Sequence, residues 1–149
     1  MSQSKYDALK LENQLCFPLY AAAREVVKGY RPHLDALDLT YTQYITMMVM
    51  WEHEEITVKA LGEKLFLDSG TMTPVLKSLE AKGCVTRRRC AADERSVTVS
   101  LTETGKALRD QAVAIPGQVA ACVGLDAADA MQLYALLYKI LHKEAQNEG

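Results

Sequence analysis

The 149-residue sequence is poor in several features, and each absence removes a class of protein. No stretch approaches the ~18 consecutive apolar residues of a membrane span. The opening residues, MSQSKYDALKLENQ, carry charges where a secretory leader needs an apolar centre. Export is not indicated, and a cytoplasmic location is expected. The four cysteines include no CxxC pair and the three histidines lie far apart, which argues against a zinc site. No metal or cofactor is expected, and in a reducing compartment the cysteines should be free thiols. There is no internal repeat and no linker long enough to divide the chain, so a single domain over 1–149 is expected. With 49% hydrophobic residues the chain can fill a sizeable core.

What is present concentrates between residues 57 and 104, TVKALGEKLFLDSGTMTPVLKSLEAKGCVTRRRCAADERSVTVSLTET. Val58, Leu61 and Leu65 recur at helical spacing, with Lys59, Glu63 and Lys64 on other faces and Thr57 as a cap. A second helix turns Met72, Val75, Leu76 and Leu79 inward and stops at Gly83 in a left-handed conformation. If Thr71 caps it, Pro74 falls in the first turn, where a proline costs little. Ser69, Thr71 and Thr73 then crowd the helix entrance, where hydroxyls and free N–H groups suit phosphates and base edges. Val85 to Arg89 and Ser96 to Leu101 alternate like strands, with Cys90 to Arg95 as the turn.

Two short helices followed by a hairpin make a winged helix-turn-helix, whose second helix enters the DNA major groove. Lys82, Arg87, Arg88, Arg89 and Arg95 face only Asp93 and Glu94 in this stretch, giving it net +3. The whole chain is −2, so the remainder is −5. A local basic patch on an acidic chain implies oriented binding to a polyanion. A solvated charged hairpin would show the same residues, but the helix pair ahead of it favours DNA.

The flanks are helical. Leu9 to Tyr30 is one apolar-rich helix or two pieces, punctuated by Pro18 and Pro32. Thr40 and Gln43 form a capping-box pattern ahead of Ile45, Met48, Val49 and Trp51. Thr102 caps a further helix, bent near Pro116 and stopped near Gly124, and Asp126 begins a last one through Met131, Leu133, Leu137, Ile140 and Leu141. The expected architecture is mainly α with a small β-hairpin wing. A winged helix-turn-helix core spans about 40–102, and dimerisation helices span about 5–36 and 103–146. Tyr134, Leu137, Tyr138 and Leu141 are either a dimer seam or a cover for the monomer core.

The wing segment DERSVTVSLT, Asp93 to Thr102, resembles the wing signature of MarR-type regulators. KLENQLCFPLY (Lys10 to Tyr20), LTYTQY (Leu39 to Tyr44) and LDSGTMTPVLKSLE (Leu67 to Glu80) resemble the organic hydroperoxide resistance repressors within that family. The likeness spans nearly the whole chain. It implies a triangular homodimer with two DNA-binding lobes on a pseudo-palindromic operator. It also implies repression that is lifted when an organic hydroperoxide oxidises a reactive cysteine.

That resemblance selects Cys16. A free thiol is only a few per cent thiolate at neutral pH, and the thiolate is what attacks the peroxide O–O bond to give sulfenic acid. Pro18 is best tolerated in a first helical turn, so a helix starting around it puts Cys16 near an N-terminus, whose partial positive charge favours a thiolate. The family pattern has a leucine-like residue at the position of Pro18. On local sequence alone, Cys16 between Leu15 and Phe17 also reads as a buried, inert cysteine. The resemblance further implies that Tyr30 and Tyr41 donate to the sulfur across the dimer interface, and Tyr20 would share the Cys16 face one turn on. Without it, the tyrosines read as core or interface residues with a polar tip.

Some family members carry a single cysteine, which a low-molecular-weight thiol caps. Others bridge to a second, C-terminal cysteine, whose region Cys122 occupies. Cys84 reads as structural and Cys90 as an exposed turn residue. Arg95 resembles the wing-tip arginine that enters the minor groove, Asp93 the acid that orients it, and Ser69, Thr71, Thr73 and Lys77 the recognition-helix contacts; Arg87 and Arg88 add basic charge. Two other functions compete. A MarR-type regulator released by a small phenolic ligand would not need Cys16. A thiol peroxidase of thioredoxin type would need alternating strands and helices, whereas strands are expected here only in the wing, so an enzyme is not expected.

Overall fold

The computed structural model describes residues 4–145, and the last expected helical position, 146, lies outside them. Two 3-10 turns, Asp7–Leu9 and Leu11–Asn13, precede helix α1, Cys16–Asp35. There follow α2 (Tyr41–His53), β1 (Glu55–Thr57), α3 (Val58–Leu65), α4 (Ser69–Ala81), β2 (Val85–Cys90) and β3 (Asp93–Leu101). The chain continues through α5 (Glu103–Ala112), α6 (Ile115–Val123) and α7 (Ala127–Ala145). This is a mainly α winged helix-turn-helix.

Local chemistry sets most boundaries. Thr40 Oγ1 accepts the Gln43 N–H at 3.2 Å and Gln43 Oε1 accepts the Thr40 N–H at 3.1 Å, a reciprocal capping box at the start of α2. Thr57 and Thr102 cap α3 and α5 by accepting from Ala60 and Gly105. Gly83, at φ 77°, closes α4: its N–H bonds the Glu80 carbonyl and the Cys84 N–H bonds that of Leu79 at 2.9 Å. Gly124, at φ 73°, ends α6.

Four expectations need correction. Pro32 does not interrupt α1 but lies inside it, leaving the Lys28 carbonyl without its amide. The loss falls in the last turn, and Leu34 just beyond it is buried at 2% exposure, so packing carries the helix past the proline. The turn of the wing is only Ala91–Ala92, because Cys90 pairs with Asp93 and the strands run to that point. Cys90 is therefore a half-buried strand residue, not an exposed turn residue. Strands are also not confined to the wing: β1 pairs antiparallel with β3 (Ile56 opposite Val99), giving a sheet of order β1-β3-β2.

The core lies where α2, α3 and α4 meet the sheet. Met47, Met50, Leu61, Met72, Leu79 and Val99 are fully buried, each worth ~1.5–3 kcal/mol of apolar transfer. Gly62 lets the turn after α3 close, since a Cβ there would stand 2.6 Å from the Leu67 carbonyl oxygen. Trp51 Nε1 donates to the Gly105 carbonyl at 2.9 Å, tying α2 to α5. The flanking elements differ: Leu15, Val113, Met131 and Tyr134 are 64–82% exposed. No single helix among the described residues is long and apolar enough to cross a membrane.

Candidate nucleic-acid interface and thiol site

Helix α4 begins one residue after Asp68, whose Oδ1 accepts the Thr71 N–H at 2.7 Å. The cap is thus Asp68 and not Thr71, as expected from sequence, because an aspartate already stands where the chain turns into the helix. The Thr71 N–H holds the Asp68 carboxyl below the usual carboxylate range. Pro74 in consequence sits at the sixth helical position, beyond the first turn, and the Gly70 carbonyl loses its amide partner.

Ser69, Thr71, Thr73 and Lys77 are all exposed. Ser69, Thr73 and Lys77 follow one another at four-residue spacing on a single face, about a quarter turn round the helix from the buried Met72, Leu76 and Leu79. The Thr73 hydroxyl donates to the Ser69 carbonyl at 2.9 Å. Ser69 and Thr73 line an open groove of ≈ 1030 Å³ together with Arg87, Asp93 and Arg95 of the wing. Helix start and wing tip therefore face one space. Asp93 Oδ1 accepts the backbone N–H of Arg95 at 3.0 Å, fixing the strand from which that exposed side chain projects.

Arg87 and Arg88 are engaged within the fold. Arg87 meets Glu80 twice, backbone N–H to Oε2 at 3.0 Å and guanidinium to Oε1 at 3.3 Å, clamping α4 to β2. This pairing, led by the side-chain bond, lowers the Glu80 carboxyl. Arg87 Nε is buried with no partner among the described residues. Arg88 points to the opposite sheet face and pairs with Glu55 at 3.0 Å. Arg87 thus belongs to the groove and Arg88 does not.

Cys16 is the first residue of α1 and is exposed. Leu15, ahead of it, makes no side-chain cap. Pro18 occupies the third position, where an N–H would have had no helical partner anyway. Tyr20 lies one turn along, 60% exposed, with the Arg24 guanidinium 5.4 Å from its ring centre. Tyr30 and Tyr41 stand elsewhere: their rings meet edge-on at 5.0 Å, and both pack on Tyr44. Burial, with Tyr30 second, raises the Tyr41 phenol, so it remains a hydrogen-bond donor at neutral pH. Cys16 and Tyr30 are fourteen residues apart on one unbroken helix, a separation of ~21 Å. One chain does not bring them together.

Cys122 is exposed in the last turn of α6, its Sγ 3.7 Å from the Gln118 carbonyl oxygen. Cys84 is buried, which raises its thiol pKa. The sequence reading missed the Arg87–Glu80 clamp. A Glu and an Arg seven residues apart across a helix stop give no periodic signal.

A family model described as transcriptional regulator SarA/Rot matches residues 28–112. The organic hydroperoxide resistance transcriptional regulator of Bacillus subtilis is 51% identical over 139 residues, covering 93% of this chain and 95% of that protein. Among solved structures, reduced AbfR bound to DNA superposes with a TM-score of 0.77 at 30% identity, over 95% of this chain and 99% of that one. AbfR, from Staphylococcus epidermidis, is also solved in a disulfide form, where the TM-score is 0.63 at 31% identity over 92% and 96%. With such identity across nearly the full length of both chains, the protein belongs to the MarR-type transcriptional regulators, in their organic hydroperoxide resistance branch.

Proposed function

We propose that this protein is a DNA-binding repressor that senses organic hydroperoxides through oxidation of Cys16 and then releases its operator. The observation that carries the reading is an exposed cysteine at the uncapped first position of α1 in a winged helix-turn-helix chain. A thiolate there is favoured by the helix terminus and open to an incoming peroxide. Attack on the O–O bond gives Cys16 sulfenic acid and releases the alcohol. The chain acts as a single MarR-type domain and as a stoichiometric switch in the cytoplasm, not as an enzyme.

The active species is a homodimer. The ~21 Å between Cys16 and Tyr30 within one chain leaves the phenols to be supplied by a second copy. The exposed apolar surface of α1 and α7, including Tyr134 and Ile140, offers the contact. In Tyr134, Leu137, Tyr138 and Leu141 none is buried within the chain, which favours the seam reading. Ser69, Thr71, Thr73 and Lys77 serve the major groove, and Arg95, held by Asp93, the minor groove, with Arg87 lining the same groove. The two lobes read half-sites about one helical turn (~34 Å) apart on a pseudo-palindrome.

A DNA-binding assay with and without cumene hydroperoxide, followed by intact mass, tests the proposal. Cys16→Ser should bind and fail to release; normal release by it would transfer the switch to another group. A second reading, release by a small phenolic ligand, is favoured by the groove of ≈ 1090 Å³ between α1 and α2, lined by Tyr20, Arg24, Arg31 and Tyr41. Peroxide-independent release by such a ligand from Cys16→Ser would support it.

A further inference from the structure

Gln43 is 6% exposed, yet its carboxamide reaches beyond its own helix. Nε2 donates to Ser78 Oγ at 2.8 Å, in the far half of α4. Oε1 accepts from the Thr40 N–H at 3.1 Å and from Lys82 Nζ at 3.0 Å, at the end of α4. Lys82 in turn donates to the carbonyl of Asp38, which bends the α1–α2 connection at φ 54°. Thr46, the other buried polar residue among those described, bonds only back to Thr42 in its own helix. Gln43, with Lys82 beside it, therefore ties together the α1–α2 connection, the first turn of α2 and the recognition helix.

We propose that Gln43 is the positioning residue through which the state of the thiol site is passed to α4. This rests on the reading of Cys16 and its tyrosines given above. Tyr41 belongs to the same capping-box turn as Gln43, and Tyr44 follows it directly. Both rings pack against Tyr30. A change that moves Tyr41 against Tyr30 tilts this turn, and the turn carries the carboxamide. A buried hydrogen bond is either made or lost at a cost, so the joint does not yield gradually. Helix α4 then acts as a rigid arm: Ser69 lies nine residues from Ser78, ~13.5 Å along the axis. A shift taken up at Ser78 and Lys82 reaches the groove-facing end at Ser69 and Thr73.

The test separates coupling from folding. Ser78→Ala removes the acceptor on α4 and leaves the capping box intact; Gln43→Leu removes the whole joint; Ser78→Thr keeps the hydroxyl. The probe is a duplex selected by the reduced wild-type protein from a random-sequence pool. Three quantities are measured: affinity of the reduced protein, rate of Cys16 oxidation by cumene hydroperoxide from intact mass, and affinity after oxidation. Reduced affinity and oxidation rate should stay at wild-type levels in Ser78→Ala. The ratio of reduced to oxidised affinity should fall at least ~tenfold, within the usual range of coupling between sites. Ser78→Thr should restore it, and Gln43→Leu should match Ser78→Ala if it folds. A wild-type ratio in Ser78→Ala would overturn the proposal. Wild-type protein that oxidises at Cys16 without losing DNA would instead overturn the sensor reading itself.

Discussion

A mixed dimer that pairs a Cys16→Ser subunit with a Tyr30→Phe/Tyr41→Phe subunit should regain fast oxidation. Its two parents are defective for different reasons. The first has no sulfur to oxidise. The second keeps its sulfur but loses two phenolic donors while retaining both rings. A hydrogen bond to a charged group contributes ~1.5–3 kcal/mol, or roughly ten- to a hundredfold in thiolate population at fixed pH. With both donors gone, the tyrosine variant should therefore oxidise at least that much more slowly near neutral pH. Cys16 and Tyr30 share the unbroken helix α1, and ~21 Å exceeds hydrogen-bonding reach many times over. Tyr41 sits against Tyr30 and is excluded with it. In the mixed dimer, the intact sulfur of one subunit meets the intact tyrosines of the other. Differently tagged subunits, co-expressed and purified through both tags, allow sulfenic acid to be trapped with dimedone and counted by mass. One adduct per dimer at close to the wild-type rate is expected. A rate equal to that of the tyrosine parent would refute delivery of the phenols across the interface.

Three further outcomes follow from particular contacts. Arg95→Ala should weaken specific DNA binding more than ~tenfold, the scale of one good base or groove contact, and wild-type affinity would remove it from the interface. After one equivalent of hydroperoxide, a dimer band on non-reducing electrophoresis that disappears in both Cys16→Ser and Cys122→Ser would identify an intersubunit disulfide. With a low-molecular-weight thiol added to the assay, a monomer whose mass has grown by that thiol would instead leave Cys122 a packing residue. Asp68 has a depressed carboxyl in the fold, so its stabilisation is complete above the unfolded value of ~4 and fades as pH falls through the lower folded value. Asp68→Asn, which still caps, should therefore flatten part of the acid limb of a stability–pH profile below about pH 4, and an unchanged limb would contradict the assignment.

The features legible in the sequence were those decided within a few residues. Thr40, Thr57 and Thr102 each cap a helix three residues ahead, and Gly83 and Gly124 each sit at positive φ. The errors fell where a distant partner or a competing local choice prevailed. Three residues of β1 carry no alternation to read, and they become a strand only because β3, over forty residues away, offers an edge. Asp68 and Thr71 are both good caps, and sparing Pro74 pointed to the wrong one. The structure accepts one lost backbone bond and keeps the earlier start. At the candidate site, the start of α1 beside Cys16 was readable from Pro18, whereas the choice of Cys16 as the reactive thiol came from the family resemblance. The engagement of Arg87 by Glu80 was not, because it spans a helix stop.

How each helix begins bears on what its start can bind. Five starts are closed by a side-chain oxygen, from Thr40, Thr57, Asp68, Thr102 and Asp126. Helices α1 and α6 have no such cap, and each carries a proline in its first turn that removes one donor. At α4 the Asp68 carboxylate takes the Thr71 amide, so that amide is not open to an incoming anion. At α1 no side-chain oxygen competes, and the N–H groups of Cys16 and Phe17 are left to an anion at the first position. Leu15→Asp should reverse this. Leu15 is 82% exposed, so the change sacrifices little packing within the chain, while its carboxylate would claim the Phe17 amide and set a negative charge beside the sulfur. A charge at an exposed helix terminus is worth ~0.3–1 kcal/mol, which converts to a roughly two- to fivefold slower oxidation of Cys16 at neutral pH. Leu15→Asn, a neutral cap, should slow it less. Stopped-flow oxidation with cumene hydroperoxide distinguishes the two, and equal rates in wild type and Leu15→Asp would show that the open helix start does not activate the thiol.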